Sequence, residues 1–403
     1  MTYSMTMEYE KSHPWLTFSL NLKSAPPSFW ATLGECKSKC EHLAGVPLRP
    51  DFALQMHSIY LAKGIRGTTA IEGNTLSEEE VRQHVEGKLE VPPSKEYLKQ
   101  EIDNILKACN EMVRIIQCGG QFPITIDRII ELNGLVLKDL QVENGVIPGR
   151  IRTYPVGVMT YRGAPAEDCD YLLNRLCEWL NSKEFEPQSG FEPLHMAILK
   201  AVTAHLYIEW IHPFGDGNGR TGRLMEVQIL LAEGIPTPAG HLLSNHYNET
   251  RVQYLRELKG ASETGGNTLP FITYALNGFL DGLKGQLAYV RELQREVTWI
   301  NYVYERFRGD NSPGAHRQRN ILLELFYKGV VPIVDLDKSS AELAKVYASM
   351  NPRTILRDIK ALEKAELILR TGNGISANTE LIAQFLPVCA KKDAPRATVV
   401  KTA

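Results

Sequence analysis

The residues with the clearest capacity for chemistry lie in one short stretch, IHPFGDGNGRTGR, from Ile211 to Arg223. It contains three glycines in five residues: Gly215, Gly217 and Gly219. Their freedom lets the backbone turn tightly, and a helix beginning near Arg220 presents unpaired N–H groups to whatever lies in the turn. The guanidinium groups of Arg220 and Arg223 stand three residues apart on the first helical turn, which suits a polyphosphate. The stretch therefore predicts an anion-binding loop.

Two further side chains of this loop add reactivity to anion binding. Asp216 would be repelled by a phosphate unless a Mg²⁺ ion lies between them. His212 supplies a group that can accept a proton near neutral pH. The alternative is a surface turn that ends in a helix cap. No lysine follows the glycines as in a Walker A loop, and Arg220 stands where an EF-hand loop needs an oxygen ligand, so neither of those sites is predicted.

A metal site is the other chemistry that histidines near this loop could support. His205 lies two helical turns before His212, and His195 could be a third ligand. No H-E-x-x-H pattern or cysteine partner accompanies them, so we expect His205 to be a buried, hydrogen-bonded neighbour of the loop. The sequence also lacks a G-x-S-x-G turn, which argues against a serine hydrolase.

Residues His212 to Arg223 resemble, at every fixed position, the H-x-F-x-[DE]-G-N-G-R-x-x-R motif of Fic proteins, the filamentation-induced-by-cAMP family. The resemblance covers roughly residues 50–285. It implies an enzyme, a protein adenylyltransferase that moves AMP from ATP to a Ser, Thr or Tyr hydroxyl of a target protein and releases pyrophosphate. ATP and Mg²⁺ would be required, and the target could be the chain itself.

The same resemblance implies roles for individual residues of the loop. His212 would be the base that deprotonates the target hydroxyl, Phe214 would anchor the loop in the core, and Asp216 would hold Mg²⁺. The residues implied to bind the nucleotide are Gly217, Asn218, Gly219, Arg220, Thr221, Gly222 and Arg223. Arg220 would bind the β-phosphate and Arg223 the γ-phosphate. Attack at the α-phosphorus needs in-line positioning and charge neutralisation, so these roles agree with the chemistry.

Two features outside the loop are candidates for substrate contact. Short alternating runs broken by glycines predict a β-hairpin over 153–163, which resembles the family's flap. The flap residues that would hold a target segment by adding a strand are Val156, Gly157 and Val158. A plain connector is the alternative. Tyr247 and Tyr254 are candidates for contact with adenine by position and flat aromatic shape, and they are equally candidates for the core.

A second family feature lies upstream in the same chain. The segment from Thr68 to Gly73, TTAIEG, matches the inhibitory [ST]-x-x-x-E-[GN] motif. The resemblance implies that Glu72 pairs with Arg223 and so keeps the γ-phosphate from its reactive pose. A carboxylate competes directly for an arginine that would otherwise bind a phosphate oxygen. The alternatives are an ordinary helix end or, since some family members also remove AMP, a glutamate that orients water in a de-AMPylating enzyme.

Helices are the elements expected to position these residues. Apolar residues and helix signals predict helices over 29–43, 54–73, 96–117, 125–140, 171–181, 194–211, 220–232, 250–259 and 269–307. The predicted fold class is mainly α, a Fic-type helical domain with a β-hairpin flap and a C-terminal winged helix-turn-helix domain. The predicted domains are an N-terminal helical arm with the inhibitory helix (1–95), the Fic catalytic domain (96–307) and the winged helix domain (314–388).

The C-terminal module begins after a polar Gly/Pro linker, and three helices followed by short strands resemble a winged helix-turn-helix. Its third helix carries four basic residues on one stripe: Arg353, Arg357, Lys360 and Lys364. The stripe could read a DNA major groove or be a solvated face, because residues 314–387 hold ten Lys and Arg against eight Asp and Glu. A nucleotide-sensing, DNA-binding transcription regulator is therefore the alternative function; docking of a target or a second subunit is another use of the module.

Composition limits the classes of protein that remain. The 403 residues are 43% hydrophobic and 23% charged, which excludes a disordered chain. The formal net charge of −2 excludes a protein that binds nucleic acid or membranes through its overall charge. Seven cysteines without a C-x-x-C pair predict reduced thiols. Since no secretory or membrane-spanning segment is predicted, we expect a cytoplasmic protein with no membrane partner, and the family suggests a homodimer.

Overall fold

The computed structural model describes residues 7–383 except 159–160, 188–189 and 191, and only the backbone of Val158. The chain divides into two compact units, Met1–Ala288 and Tyr289–Ala403. The domain boundaries predicted from the sequence stay predictions. Within the described residues, no helix combines the length and the apolar character needed to cross a membrane.

The first unit consists of helices and one short hairpin. Its helices are α1 (Tyr9–Ser12), α2 (Pro27–Gly45), α3 (Pro50–Ala70), α4 (Glu78–Val85), α5 (Glu96–Gln117), α6 (Ile126–Val136), α7 (Cys169–Leu180), α8 (Pro193–Ile211), α9 (Asn218–Ala232), α10 (Thr237–Gly240), α11 (Leu242–Glu249), α12 (Arg251–Glu263) and the first part of α13 (Leu269–Arg306). Strands β1 (Gly157–Val158) and β2 (Tyr161–Arg162) pair antiparallel. Short 3-10 turns lie at Pro93–Lys95, Ala166–Asp168 and Lys183–Phe185.

Helices α8 and α9 form the centre of this unit. Nearly every residue of both helices is buried, which is the pattern of a helix enclosed on all sides. Helix α7 packs on α8, while α5 and α6 pack on α9. The glycine-rich loop joins α8 to α9, so both of its ends are fixed by buried helices.

Helix α3 lies close against α11 because two of its glycines face that helix. A Cβ on Gly64 would collide with the Cβ of His241, and a Cβ on Gly67 would lie 2.7 Å from the carbonyl oxygen of Ser244. Helix α3 also packs on α9. This close packing fixes the position of the last turn of α3, and therefore of Glu72 just beyond it.

The mainly helical fold is confirmed, and the first unit has four short helices that the sequence analysis did not predict: α1, α4, α10 and α11. Helix α4 begins with a capping box, in which Ser77 Oγ accepts the N–H of Glu80 and the Glu80 carboxylate accepts the N–H of Ser77. The S-x-x-E pattern of such a box was present in the sequence. Helices α10 and α11 have 4 and 8 residues, too few for apolar periodicity to stand out.

The second unit contains the remainder of α13 and a small hairpin. Its other elements are α14 (Pro313–Lys328), a 3-10 segment (Ile333–Lys338), α15 (Ala341–Tyr347), α16 (Pro352–Lys364), β3 (Ile368–Thr371), β4 (Gly374–Ala377) and α17 (Glu380–Ala383). Strands β3 and β4 pair antiparallel, with Ile368 opposite Ala377. Helix α16 begins with a capped turn, since the Asn351 side chain accepts the N–H of Arg353. The assignment of this unit as a winged helix-turn-helix stays a prediction.

Candidate functional site

Two residues in the left-handed backbone region turn the chain between α8 and α9. His212 follows the last residue of α8 with φ 50° and ψ 58°, and Gly217 precedes α9 with φ 77°. Glycine adopts this region freely, whereas histidine does so only at a cost that the surroundings must offset. Arg152 helps to hold His212 there, because its Nε donates to the His212 carbonyl oxygen at 2.7 Å.

Asn218 closes the loop through its side chain. Its Oδ1 accepts the N–H of Phe214 at 2.9 Å, and its Nδ2 donates to the Phe214 carbonyl oxygen at 2.9 Å. The Phe214 side chain is buried, as the resemblance implied. A second brace comes from Asn133, whose Nδ2 donates to the Asp216 carbonyl oxygen at 2.9 Å. Asn218 therefore braces the loop here, and its implied contact with phosphate stays a prediction.

The two arginines of the loop motif retain buried donors without partners. Arg223 uses Nη2 to donate to Glu72 Oε1 at 2.5 Å and to the Thr68 carbonyl oxygen at 3.0 Å, while its Nε and Nη1 have no partner among the described residues. Arg220 donates to Glu101 at 2.7 Å and to Asp216 at 3.0 Å, and its Nε has no partner among them either. Buried guanidinium donors left open in this way fit phosphate oxygens.

Glu101 is a site residue that the sequence analysis missed. It lies on α5, its Oε1 accepts from Arg220 Nη1, and its Oε2 accepts from Asn74 Nδ2 at 2.8 Å. Asn74 comes two residues after Glu72, so Glu101 links the segment after α3 to Arg220 of the loop. A single glutamate on an amphipathic helix carries no sequence signal for such a role.

Gly219 leaves room for the charged groups around Arg223. A Cβ at this position would collide with Glu72 Oε1 and would lie 2.9 Å from Arg223 Nη1 and 3.0 Å from Glu209 Oε1. Burial by itself would raise the pKa of Glu72, but the adjacent Arg223 guanidinium outweighs it, so the pKa lies below the ordinary value. Glu72 is therefore ionised at neutral pH and is attracted to Arg223.

The imidazole of His212 is nearly enclosed. Its Nδ1 lies 3.4 Å from the Glu209 carbonyl oxygen and 3.9 Å from Glu209 Oε2. Burial lowers the pKa of His212 to about 4, with a smaller contribution from the charge of Arg152. At neutral pH the ring is therefore uncharged and can accept a proton.

Asp216 carries the single carboxylate of the loop. Its side chain is about half exposed, and its Oδ1 accepts from the N–H of Gly217 and from Arg220. Its Oδ2 accepts no hydrogen bond from the described residues, so one oxygen is free to bind a cation. Within the described chain, no group of three or more His, Cys, Asp and Glu side chains could hold a metal ion by itself. This fits Mg²⁺, which needs only one or two carboxylates when phosphates supply the other ligands.

Four residues predicted to contact the nucleotide pack within the protein core. Thr221 Oγ1 accepts from Asn133 at 3.3 Å, and Gly222 lies against the His205 ring. Tyr247 and Tyr254 are buried and stack on each other with ring centroids 4.8 Å apart. The tyrosines thus occupy the core that was their alternative assignment, and nucleotide contact by these four residues stays a prediction.

The flap hairpin is braced from both sides. The N–H of Gly163 donates to the Val156 carbonyl oxygen at 3.1 Å, closing the hairpin that contains Gly157. On one side His13 Nε2 bonds the Arg162 carbonyl oxygen at 2.8 Å. On the other, Tyr161 donates to the Trp210 carbonyl oxygen on α8 at 2.6 Å. The flap therefore lies beside the end of α8 that carries His212.

Arg152 is a further residue that sequence reasoning missed. It is buried and donates to the carbonyl oxygens of His212, Tyr154 and Ala164, at 2.7, 2.8 and 2.5 Å. No carboxylate pairs with it among the described residues. Because its partners are backbone atoms, one of them on His212 60 positions away, no side-chain pattern could have pointed to it. Arg152 ties both ends of the flap segment to the loop.

Comparisons with known proteins agree with this site. Residues 123–230 match the family model "Fic/DOC family". "Protein adenylyltransferase fic-1" of Caenorhabditis briggsae is 31% identical over 242 residues, which cover 56% of this chain and 43% of that protein. "Protein adenylyltransferase Fic" of Drosophila melanogaster is 30% identical over 275 residues, which cover 67% of this chain and 50% of that protein. The matched regions thus span half or less of these relatives.

A solved structure extends the similarity to the fold. A Fic family protein from Desulfovibrio desulfuricans G20 aligns with a TM-score of 0.56 and 19% identity, over 88% of this chain and 94% of that chain. At this identity the likeness concerns the fold alone. The sequence relationship comes from the family match and the curated relatives. The chain therefore carries a Fic/DOC family domain and is related, at about 30% identity, to Fic protein adenylyltransferases.

Proposed function

We propose that this chain transfers AMP from ATP to a hydroxyl group of a target protein and is held inactive by its own Glu72. The observation that carries the proposal is the state of Arg223: Glu72 occupies one nitrogen, and two buried donors of the same guanidinium have no partner among the described residues. A triphosphate can satisfy those donors, and Glu72 stands in its way. The names of the curated relatives support the same activity.

In the proposed reaction, the target hydroxyl gives its proton to the Nε2 atom of His212. The hydroxyl oxygen forms a bond to the α-phosphorus of ATP, and the bond from that phosphorus to the oxygen bridging to the β-phosphate breaks, so pyrophosphate leaves. Asp216 would hold Mg²⁺, which neutralises phosphate charge. The first N–H groups of α9 and the guanidiniums of Arg220 and Arg223 bind the phosphates.

Inhibition then follows from competition for the two arginines. Glu72 holds Arg223, and Glu101 together with Asp216 holds Arg220. A γ-phosphate must displace Glu72 to reach Arg223. Replacing Glu72 by glycine removes the competitor and leaves the guanidinium free, so the nucleotide can adopt the reactive pose.

The proposal is tested with ATP labelled on the α-phosphate. The wild type and the variants Glu72→Gly, Glu72→Gly/His212→Ala and Glu90→Gly are incubated with Mg²⁺ and a cell lysate, and label on all proteins, including the chain itself, is measured. We expect strong transfer by Glu72→Gly and none by the double variant. Glu90→Gly removes an exposed glutamate and should match the wild type.

Three results would contradict the proposal. Equal transfer by the wild type and Glu72→Gly would show that Glu72 does not inhibit. Absence of transfer by Glu72→Gly, with ATP bound, would show that the chain is not an adenylyltransferase. Transfer from the double variant would remove His212 as the base.

A second candidate function, DNA binding, is supported by one observation in the second unit. Four basic side chains of α16 are exposed, and no ion pair within the described residues engages them: Arg353, Arg357, Lys360 and Lys364. We propose that this unit is a winged helix-turn-helix and that the stripe contacts a DNA backbone and major groove. Such a cluster of free cations favours a polyanion over a neutral surface.

The DNA proposal is tested by measuring the affinity of the full chain for duplex DNA as a function of salt. We expect affinity to fall steeply with salt, and the slope to decrease by about 1 for each phosphate-contacting residue replaced, as in Arg357→Ala and Lys360→Ala. Arg370→Ala is the control, because Arg370 is already paired with Glu363 at 2.7 Å. Undetectable or salt-independent binding would refute the proposal.

A further inference from the structure

Glu209 lies on α8, three residues before His212, and its side chain lies inside the site. Its Oε2 is 3.9 Å from His212 Nδ1, and its backbone oxygen is 3.4 Å from the same atom. Its Oε1 accepts from the Tyr254 hydroxyl at 3.4 Å. The Glu209 side chain is only 16% exposed. This carboxylate has no part in the proposed reaction as a base, a metal ligand or a phosphate contact.

We propose that Glu209 is a positioning residue for His212: it keeps the proton on Nδ1, leaves the lone pair on Nε2, and stabilises the imidazolium that forms when Nε2 takes the proton of the target hydroxyl. The proposal rests on the proposed function. A ring nitrogen that faces two oxygen acceptors must carry its hydrogen, and the other nitrogen is then the basic one. The orientation is read from the observed distances, because His212 lies just past the end of α8 with a left-handed backbone.

When ionised, the Glu209 side chain contributes a full negative charge, which its backbone oxygen does not. In a nearly enclosed site a carboxylate 3.9 Å from the ring attracts the imidazolium more strongly than it would in water. The His212 ring needs this support, because burial lowers its pKa to about 4. An ionised Glu209 therefore makes His212 a stronger base.

The groups that face Glu209 from neighbouring elements set when it is ionised. These are Arg223 of α9, Tyr254 of α12, Glu72 after α3, and His212 itself. Burial raises the pKa of Glu209 to about 7, Arg223 opposes the increase, and the negative charge of Glu72 adds to it. Departure of Glu72 therefore favours the ionised form of Glu209. Release of inhibition would then strengthen the base as well as free Arg223.

The test compares Glu209→Gln and Glu209→Asp with their parent, Glu72→Gly. The first readout needs no activity: the His212 ring resonances are followed by NMR on the full chain from pH 5 to 9, with the signals identified by their loss in His212→Ala. We expect a change in these resonances near pH 7, where Glu209 ionises, that Glu209→Gln removes and Glu209→Asp moves to a lower pH. Glu226→Gln is the matched control, because Glu226 is another buried glutamate but bonds Tyr247 and should leave His212 unchanged.

The second readout is the pH dependence of AMP transfer. We expect Glu209→Gln to lower kcat about 10- to 100-fold with the KM for ATP within about twofold, and to lose the rise in rate through the Glu209 titration. His212 resonances and a pH profile that Glu209→Gln leaves unchanged would overturn the proposal; if the Gln variant does not fold, the Asp variant decides. Loss of the change near pH 7 in a chain that transfers no AMP would support the role of Glu209 while refuting the proposed function.

Discussion

Glu72 Oε1 and Arg223 Nη2 lie 2.5 Å apart, although 151 positions separate the two residues in the chain. The Arg223 side chain has no exposed surface, whereas about a third of the Glu72 side chain is exposed. The same Nη2 also donates to the Thr68 carbonyl oxygen. The end of α3 therefore supplies both partners of one nitrogen, and a buried positive charge depends on them.

The first prediction concerns the pH dependence of stability. Because the Glu72 carboxyl has a pKa below its ordinary value of 4.5 in the folded state, its contribution is fully present above that value and is lost as pH falls through the folded pKa. We expect Glu72→Gln to lower the free energy of unfolding by about 1–3 kcal/mol at pH 7. Urea unfolding at pH 7, 5 and 4 should show this difference shrinking only at the lowest pH. A difference that is the same at all three values would contradict the prediction.

The second prediction concerns Gly219. An alanine methyl there would collide with Glu72 Oε1, so we expect Gly219→Ala to cost about 1–3 kcal/mol of unfolding free energy. The cost should be smaller in the Glu72→Gly background, where that contact no longer exists, and a double-mutant cycle measures the difference. Gly260→Ala is the control, because a Cβ there meets nothing within 4 Å. Equal costs in both backgrounds would show that Glu72 is not what Gly219 accommodates.

The third prediction concerns Arg152. We expect Arg152→Ala to destabilise the protein by about 2–4 kcal/mol, since three carbonyl oxygens lose their donor. AMP transfer should fall more than ATP affinity, because the residue supports the flap and His212, not the phosphates. Arg150→Ala, at an exposed neighbouring position, should be close to neutral in both assays. Calorimetry and nucleotide titration check the two effects, and parallel losses of binding and transfer would argue against this role.

The fourth prediction concerns the second unit. Arg317 is buried and donates to Asp358 at 2.7 and 3.3 Å, and Tyr347 donates to Asp358 at 2.9 Å. Asp358→Ala leaves that guanidinium without its carboxylate, so we expect a loss of about 3–5 kcal/mol. Hydrogen exchange of peptides from 313–377 should accelerate accordingly. Asp335→Ala, at an exposed site, should leave exchange unchanged, and protection retained in Asp358→Ala would contradict the prediction.

The loop could be anticipated from the sequence because its requirements are local. A left-handed turn before α9 needs a residue such as Gly217, and the helix start needs no distant partner. The pair formed by Glu72 and Arg223 was implied only by the family motifs, since no local rule relates residues so far apart. The structure brings these two side chains together as the motifs implied.

Glu101, Arg152 and Glu209 escaped prediction for a different reason. Each acts on a group that other elements supply, such as the Arg220 guanidinium, the carbonyl oxygens of the flap or the His212 ring. Sequence spacing shows which residues share a helix face, but not which neighbour covers that face. For the same reason the sequence left two assignments open for Tyr247 and Tyr254, and the structure shows that both are buried.

Arg223 also caps α3, because it donates to the Thr68 carbonyl oxygen in the last turn of that helix. A phosphate that draws the guanidinium away removes this cap, so nucleotide binding and fraying of one helical turn become linked equilibria. The coupling is reciprocal. If the bound nucleotide promotes unwinding of the turn by some factor, unwinding of the turn increases nucleotide affinity by the same factor. A change in how α3 packs on α11, at Gly64 and Gly67, can therefore alter nucleotide affinity although neither glycine contacts the nucleotide.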